Sequence, residues 1–243
     1  MVSKNQIKFI SGLQQKKQRL IHKMFVAEGV KVVQELLDAD FELHQLYTTE
    51  DDFKSVNDSK KQIVSADDLK KISALTTASS CLAVFKIPEQ KELYQSGLIV
   101  ALDAIRDPGN LGTIIRLCDW FGIQQLICSN ETVDVYNPKV VQATMGSISR
   151  VNVSYINLED FISTTSLPVF GTFMNGENIY STTLPKEGII VMGNEANGIS
   201  KEVENSIQHR LTIPRFGTLQ KTESLNVATA TAIILSEFRR VSL

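Results

Sequence analysis

From residue 97 onward, short apolar segments alternate regularly with helical segments, and this alternation restricts the possible folds more than any other feature. The apolar segments lie at residues 98–102, 126–128, 151–155, 169–173, 189–192 and 211–213. The first of them is apolar throughout, as expected for a strand that is covered on both faces of a sheet. Strands that alternate with helices in this way predict a mostly parallel, doubly wound α/β sheet.

Residues 1–90 differ from the rest of the chain in the pattern of their apolar segments, and this pattern predicts a smaller α/β unit. Strands are expected at residues 25–27, 46–47, 63–64 and 82–87, with one helix after Gly29 and another after Ser65. The run PEQKE at residues 88–92 is the best candidate for a linker. The predicted domains are therefore residues 1–90 and residues 91–243.

The first 31 residues are helical in pattern and strongly basic. Their apolar positions follow a helical spacing: Ile7, Ile10, Leu13, Leu20 and Ile21. They contain seven Lys or Arg residues and one acid, whereas residues 34–68 contain ten acids and three lysines. A basic arm of this kind is able to dock on phosphate with one face. The same charges also fit an ordinary solvated helix surface.

The overall composition excludes several classes of protein. Hydrophobic residues make up 43% and charged residues 21% of the chain, which is ordinary for a folded globular protein. The apolar stretches are far shorter than the roughly 20 residues of a membrane span, and the first residues lack the apolar run of a secretory signal. Cys81, Cys118 and Cys128 have neither metal-ligand nor disulfide spacing. A reduced, cytoplasmic protein with no bound metal and no membrane partner is expected.

The common phosphate-binding and nucleophile motifs are also missing from the sequence. Neither G-x-G-x-x-G after a strand nor G-x-x-x-x-G-K-[ST] occurs, and there is no G-x-S-x-G elbow. His22, His44 and His209 lie outside the polar loops that follow the strands. Chemistry that depends on positioning therefore fits better than covalent catalysis.

Three loops at the carboxyl ends of predicted strands are rich in glycine, asparagine and charged residues: residues 103–112, 193–200 and 213–217, the last continuing through 222–226. Ligands of open parallel sheets bind just beyond these strand ends. Glycine permits close backbone approach to a ligand, and Asn and Ser offer directed hydrogen bonds. Singly, each loop fits ordinary turn chemistry, and Asn110 and Ser224 fit helix N-caps. Together, the three loops predict a ligand site.

The three loops resemble three motifs of the SpoU (TrmH-like) RNA 2'-O-ribose methyltransferases, within the SPOUT superfamily. DPGNLGTIIR at residues 107–116 is similar to motif 1, and VMGNEANGIS at residues 191–200 is similar to motif 2. The stretch from IP at residues 213–214 to ESLNVA at residues 223–228 is similar to motif 3, and residues 137–147 also resemble a family stretch. The resemblance covers residues 98–240 in order.

The beginning of the chain carries a weaker resemblance. FVAEG at residues 25–29 is similar to part of the ribosomal-protein-like RNA-binding domain that precedes the catalytic domain in many family members. The resemblance therefore implies a small α/β RNA-binding domain followed by a Rossmann-like sheet with a deep C-terminal trefoil knot. It also implies a homodimer whose active site is completed across the interface. Trp120 and Phe121 are interpreted as core or dimer-interface residues.

The resemblance further implies S-adenosylmethionine as the cofactor and the ribose 2'-hydroxyl of RNA as the acceptor. Cofactor contacts are expected from Met192, Gly193, Gly198, Ile213 and Leu225. The catalytic group is expected to comprise Asn110, Arg116, Glu195, Ser224 and Asn226. Family members often have Gly where Ala196 stands and a basic residue where Gln142 stands, and neither departure touches these residues.

Each member of the catalytic group has an expected role. A guanidinium forms forked contacts with phosphate and stays protonated in proteins, so Arg116 is expected to hold a phosphate beside the target ribose. Family proposals instead make this arginine the proton acceptor. Asn110, Ser224 and Asn226 would orient the ribose and hold the loop, while Glu195 would pair with Arg116 or fix the second loop.

Three alternatives stay open at the level of sequence. The RNA acceptor is expected to be rRNA rather than tRNA, because of the additional N-terminal domain. A non-catalytic RNA-binding protein on the same fold is a second alternative, and failure to bind S-adenosylmethionine would favour it. A dinucleotide-dependent oxidoreductase would need a glycine-rich first strand–helix turn with an acid about 20 residues further on, and residues 98–112 lack that form.

Overall fold

The computed structural model describes residues 1–93, 95–218 and 224–240. It divides into two compact units, one formed by Met1–Glu89 with Asp134–Ser149 and the other by Gln90–Val133 with Arg150–Leu243. The first boundary along the chain, between residues 89 and 90, falls within the predicted linker, but residues 134–149 differ from the predicted division because they belong to the first unit. They pack there through Tyr136, whose ring lies 4.8 Å from that of buried Phe25.

The predicted helices and strands are present in the predicted order, and two short helices, α7 and α8, were not predicted. The helices are α1 (Lys4–Gly12), α2 (Lys16–His22), α3 (Val30–Asp38), α4 (Ala66–Ile72), α5 (Pro108–Trp120), α6 (Pro138–Thr144), α7 (Leu158–Thr164), α8 (Lys201–Glu204) and α9 (Val227–Arg240). The strands are β1 (Met24–Glu28), β2 (Leu43–Thr48), β3 (Lys61–Ile63), β4 (Cys81–Lys86), β5 (Leu98–Leu102), β6 (Gln125–Cys128), β7 (Asn152–Tyr155), β8 (Val169–Asn178), β9 (Gly188–Met192) and β10 (His209–Thr212).

The first unit is built on a four-stranded sheet in the order β1-β4-β2-β3. Strands β1 and β2 run antiparallel to β4, and β3 runs parallel to β2. Helix α3 buries the apolar face formed by Val32, Val33 and Leu36, as its sequence pattern predicts. The small α/β unit expected at the beginning of the chain is therefore present.

Helix α2 departs from the apolar pattern that its sequence shows. Arg19 is 2% exposed, whereas Leu20 and Ile21 are each 61% exposed. The Arg19 guanidinium donates hydrogen bonds to the carboxylate of Asp134, at 2.8 and 2.5 Å, and to the carbonyls of Leu13 and Gln14, at 2.8 and 2.9 Å. A buried charge is tolerated when its hydrogen bonds are made and its charge is paired, so this pairing allows α2 to turn its arginine inward.

The second unit contains a six-stranded sheet in the order β10-β8-β9-β5-β6-β7, and every pair of neighbouring strands is parallel. All residues of β5, β6 and β9 are buried, which explains their nearly continuous apolar sequence. The predicted doubly wound α/β sheet is confirmed. The trefoil knot stays a prediction, because residues 219–223 lie outside the described residues.

The strand order fixes where a ligand site is expected in this sheet. After β5 the chain adds β6 and β7 on one side, and then β8, β9 and β10 on the other. The reversal lies between β5 and β9, which pair directly from Leu98 and Gly188 to Leu102 and Met192. Ligands of open α/β sheets bind at the carboxyl edge beside such a reversal. The loops that begin at Asp103 and Gly193 leave the sheet at this edge.

Two further properties belong to the described residues. None of their helices is both long and apolar enough to span a bilayer. Cys81, Cys118 and Cys128 are free and buried. Burial raises the pKa of the Cys81 thiol to about 12 and raises the pKa of the other two thiols as well, so these thiols stay protonated at neutral pH.

Candidate active site

A cleft of about 1070 Å³ opens in the second unit at the carboxyl ends of β8, β9 and β10. Its inner wall is apolar and includes Leu211, Val227, Ala230 and Ile234, from β10 and α9. The residues that the sequence assigns to cofactor contacts all line it: Met192, Gly193, Gly198, Ile213 and Leu225. The volume is in the range of pockets that enclose a small-molecule ligand.

The loop after β9 is held in a tight turn at one side of the cleft. Asn194 and Gly198 exchange two backbone hydrogen bonds, at 2.9 and 2.8 Å. A Cβ atom on Gly193 would lie 2.4 Å from the backbone of Gly198 and of Ile199. Since real Cβ atoms do not come so close to backbone, glycine is the residue that fits position 193 without moving the loop.

Two side chains with no predicted role join this loop to the one that follows β5. The buried carboxylate of Asp103 accepts a 2.7 Å hydrogen bond from the backbone N–H of Ser200. The side-chain amide of Asn194 donates a 2.8 Å bond to the carbonyl of Ala104. The signal for Asp103 in the sequence is an acid placed directly after an apolar strand, where burial demands a partner.

Three predicted catalytic residues form one hydrogen-bonded chain, which we call the amide chain: Asn226, Asn110 and Glu195. Asn226 donates from Nδ2 to Oδ1 of Asn110 at 2.8 Å, and Asn110 donates from Nδ2 to a carboxylate oxygen of Glu195. Each residue comes from a different one of the three motif loops. The structure therefore brings the three motifs together through direct side-chain contacts.

The direction of the amide chain is set at its Asn226 end. Oδ1 of Asn226 accepts hydrogen bonds from the backbone N–H groups of Ala228 and Thr229, at 3.0 and 3.2 Å, and so caps α9. The Nδ2 group is then left to face Asn110. At the other end, an ionised carboxylate only accepts, so Asn110 turns its own Nδ2 toward Glu195.

The N-caps of α5 and α9 are not the residues that the sequence suggested, Asn110 and Ser224. Asp107 caps α5 by accepting a 2.8 Å hydrogen bond from the backbone N–H of Asn110, whose side chain is free for the amide chain. Asn226, rather than Ser224, caps α9. The interpretation of Asn110 and Ser224 as N-caps is therefore wrong. Ser224 is exposed and lines the cleft.

Arg116 lies apart from the amide chain. It is exposed on α5, six residues after Asn110, which corresponds to about 9 Å along the helix axis. Within the described residues Arg116 forms no ion pair with Glu195, whose carboxylate contacts Asn110 instead. Thr222 and Glu223 of the third motif lie outside the described residues.

The outer wall of the cleft comes from an interruption in β8 that the sequence did not predict. Arg210 of β10 pairs with Gly171, but the next residue, Leu211, pairs with Glu177. The intervening residues leave the ladder, and residues 172–175 line the cleft. The Arg210 guanidinium lies 3.5 Å from the centroid of the Phe173 ring and so supports this wall from behind.

A parallel sheet with a ligand cleft and three joined loops at its carboxyl edge defines the class of the protein. It is an α/β enzyme that binds and aligns its reactants rather than forming a covalent intermediate. Residues 97–236 match the model of the SpoU rRNA methylase family, and residues 4–83 match that of the MRM3-like substrate binding domain. The chain belongs to the SpoU rRNA methylase family. The family resemblance that the three motifs indicated is confirmed.

Relatives and solved structures match almost the whole chain. The 23S rRNA (guanosine(2553)-2'-O)-methyltransferase of Bacillus subtilis is 28% identical, over 98% of this chain and 97% of its own length. A Porphyromonas gingivalis structure assigned to the TrmH family of RNA methyltransferases is 41% identical, covers 99% of both chains and has a TM-score of 0.90. An AdoMet-bound rRNA methyltransferase of Sinorhizobium meliloti is 30% identical, covers 100% of this chain and 98% of its own, and has a TM-score of 0.88.

Proposed function

We propose that the protein is an S-adenosylmethionine-dependent RNA 2'-O-ribose methyltransferase that acts on rRNA. The observation that carries the proposal is the amide chain, which joins the three motif loops beside an apolar cleft of ligand size. The Bacillus subtilis relative, which this chain matches over almost its full length, bears the name of a 23S rRNA 2'-O-methyltransferase. This match supports rRNA over tRNA as the acceptor.

The residues present in the cleft fit the proposed cofactor. The close approach of the loop at Gly193 and Gly198 leaves backbone groups facing the cleft, because no side chain covers them. Leu211, Ile213 and Ile234 give the apolar surface on which a purine ring packs. Met192, Gly193, Gly198, Ile213 and Leu225 would hold the cofactor through these surfaces.

The side chains at the mouth of the cleft are suited to orient a ribose. When bound, the cofactor supplies a methyl group on a sulfonium, so the protein supplies binding and alignment. Asn110 and Asn226 are held in one amide orientation by the amide chain, which reaches the cleft through Glu195, and Ser224 lines the same cleft. Fixed polar groups of this kind align an acceptor without having to reorganise at the moment of transfer.

Arg116 is proposed to hold a phosphate of the RNA rather than to accept the ribose proton. Its guanidinium is exposed on α5 and has no ion pair with a described acid. A free guanidinium binds phosphate through forked hydrogen bonds, and a phosphate held beside the acceptor fixes the position of the neighbouring 2'-hydroxyl. A proton acceptor at this position would require an arginine to lose its charge, which arginine does not do in proteins.

The first unit is proposed to bind the RNA through its basic helices. Lys4 and Lys8 are exposed one turn apart on α1, and Lys16 and Lys17 are exposed at the beginning of α2. Lysines on a solvent-facing surface bind phosphate and release counterions. We also propose a homodimer, because Trp120 at the end of α5 is 85% exposed and tryptophan is enriched in protein–protein interfaces.

The test uses the full chain, methyl-labelled S-adenosylmethionine and unmodified transcripts of rRNA and tRNA, followed by digestion and mass analysis of the nucleosides. A 2'-O-methylated nucleoside from rRNA is expected, and it should disappear in Asn110→Ala and Arg116→Ala. Label in tRNA alone would show that the acceptor is tRNA rather than rRNA. Label on a base would show that the ribose 2'-hydroxyl is not the group that is methylated. Absence of both label and cofactor binding would leave a non-catalytic RNA-binding protein.

A further inference from the structure

The second unit leaves an unusual share of its exposed apolar side chains at one place. Among its described residues, the large hydrophobic side chains that are exposed are Leu93, Trp120, Met174, Tyr180, Phe216 and Leu225. Met174, Phe216 and Leu225 line the mouth of the cleft. The ring of Tyr180 lies 6.4 Å from that of Phe216, with an angle of 33° between the ring planes. Three of the six therefore line a single cleft, and a fourth, Tyr180, lies beside one of them.

The aromatic pair is mounted on a well-anchored turn. Ile179, the residue before Tyr180, is completely buried, and its N–H donates a 3.0 Å hydrogen bond to the carbonyl of Thr212. The N–H of Tyr180 itself donates a 3.0 Å bond to Oδ1 of Asn178. The Tyr180 ring therefore stands at a defined position beside the strand that leads to Ile213 and Phe216.

The position of the pair favours the acceptor over the cofactor as its ligand. Phe216 is 83% exposed and Tyr180 is 42% exposed, and Tyr180 is not among the residues that line the cleft. The inner wall of the cleft already provides buried apolar groups for the cofactor. A ring pair outside that wall contacts a ligand that extends beyond the cleft, at the mouth where Glu195 and Ser224 also lie.

We infer that Tyr180 and Phe216 form a stacking platform for an unpaired base of the RNA acceptor. The inference rests on the proposed function, since it assigns the base that accompanies the reacting ribose. Proteins bind unpaired RNA bases by stacking them on aromatic side chains. Because every base has a flat face, such a platform holds the nucleotide without selecting its identity.

The test measures the binding of a single-stranded uridine hexanucleotide and of the same hexanucleotide with abasic riboses. Both carry fluorescein, and the full chain is saturated with S-adenosylhomocysteine so that the cofactor cleft is filled. Fluorescence anisotropy gives the two dissociation constants. One stacked base contributes about 1–3 kcal/mol, so the base-bearing RNA should bind about fivefold more tightly or better. The phosphates are the same in both, so contacts to lysines cancel.

Two substitutions at one exposed position separate ring stacking from apolar area. Phe216→Leu keeps an apolar side chain and should lose the preference for the base-bearing RNA, whereas Phe216→Trp keeps a flat ring and should retain it. Equal binding of the two RNAs by the unaltered protein, undetectable binding of both, or a preference that survives in Phe216→Leu would each overturn the inference. So would a Phe216→Leu variant whose main defect is weaker binding of S-adenosylhomocysteine.

The outcome can be distinguished from failure of the proposed function. If no methyl label reaches RNA but the base preference depends on Phe216, the proposed function fails and the platform stands. If ribose is methylated and Phe216→Leu changes neither the preference nor the KM for rRNA, the platform fails and the function stands. An increase in the KM for rRNA of about tenfold, with binding of S-adenosylmethionine unchanged, is the expected result in the methylation assay.

Discussion

The amide chain shows how much a single side-chain orientation depends on its neighbours. Asn226 has its carbonyl committed to the beginning of α9, so its amino group faces Asn110. Asn110 then has only one orientation that satisfies both Asn226 and Glu195. The three motifs predicted these residues as a group, but the pairing of Glu195 with Asn110 rather than Arg116 could not be predicted. That choice depends on how the loops fold back, which sequence spacing does not record.

Replacing Asn110 by Asp tests the direction of the amide chain. In Asn110→Asp the introduced carboxylate would face Glu195 without a donor between them, so kcat/KM should fall about 100-fold, as for a lost hydrogen bond to a charged group. Adding Glu195→Gln supplies the missing donor, because the glutamine amide can turn its amino group toward the new carboxylate. The double variant should recover most of the activity in the methyl-transfer assay. A double variant as weak as the single one would contradict the proposed orientation.

Gly193 and Gly198 make a second prediction at this scale. A Cβ on Gly193 would collide with backbone at 2.4 Å, whereas Gly198 has open space around it but a φ of +70°. Gly193→Ala should therefore displace the loop and weaken S-adenosylmethionine binding at least tenfold. In Gly198→Ala the strain of a left-handed residue, about 1–2 kcal/mol, lowers the free energy of unfolding, so this variant should bind S-adenosylmethionine more tightly than Gly193→Ala does. Isothermal titration of both variants checks the order, and equal affinities would contradict it.

At the scale of elements, the predicted strands were reliable where burial is continuous and failed where tertiary contacts decide. β5 and β9 were predicted from apolar runs alone. The interruption of β8 at residues 172–176 could not be predicted from the sequence. It depends on the close approach of the backbone at Arg210 to Gly176. Helix α2 gives the same lesson, since Arg19 is buried by a partner that is distant in sequence.

The ion pair that holds α2 predicts a large loss of stability. Asp134→Ala would leave the Arg19 guanidinium buried without its counter-charge, and the free energy of unfolding should fall by about 3–5 kcal/mol. Arg19→Met removes the charge together with the need for a partner and should cost less. Denaturant unfolding, with hydrogen exchange of residues 13–22 to localise the effect, provides the comparison. A smaller loss for Asp134→Ala than for Arg19→Met would contradict the argument.

The basic helices predict a salt-dependent contribution to RNA binding. Lys16 and Lys17 are exposed on α2, and each phosphate contact contributes about 0.7–0.9 to the slope of log Kd against log salt concentration. Replacing both lysines by Ser should reduce that slope by about 1.5. Lys70→Ser removes one exposed lysine from α4 and serves as the control, with changes in slope compared per lysine removed. An equal change in the control would mean that binding follows net charge rather than this surface.

At the scale of the whole molecule, the family and its sheet followed from the motifs, whereas the place of residues 134–149 in the first unit did not. The exchange of residues 134–149 into the first unit rests on contacts such as Arg19 with Asp134 and Phe25 with Tyr136. No local sequence pattern in residues 134–149 predicts these contacts. The knot and the dimer also belong to this scale and stay predictions.

Trp120 tests the proposed homodimer. Its ring is 85% exposed at the end of α5, so Trp120→Glu would place an unpaired charge in an apolar contact. The dissociation constant of the dimer should rise about 30-fold or more, equivalent to about 2 kcal/mol. Light scattering after size exclusion measures the mass. Ile21→Glu, which alters an exposed residue of α2, should leave the mass unchanged, and a monomer at all concentrations before substitution would refute the dimer.

The discontinuous first unit also has a consequence for how the protein is made. A ribosome delivers the chain from its N-terminus, and domains generally fold in that order as each is completed. Here the sheet of the first unit emerges early, but Asp134 and Tyr136 arrive only after β5 and β6 have been synthesised. Until residues 134–149 have left the exit tunnel, Arg19 lacks its counter-charge and Phe25 lacks the contact with Tyr136. The nascent chain therefore carries an unfinished first unit while residues 90–149 are synthesised, and this is the interval in which we expect a chaperone to bind it.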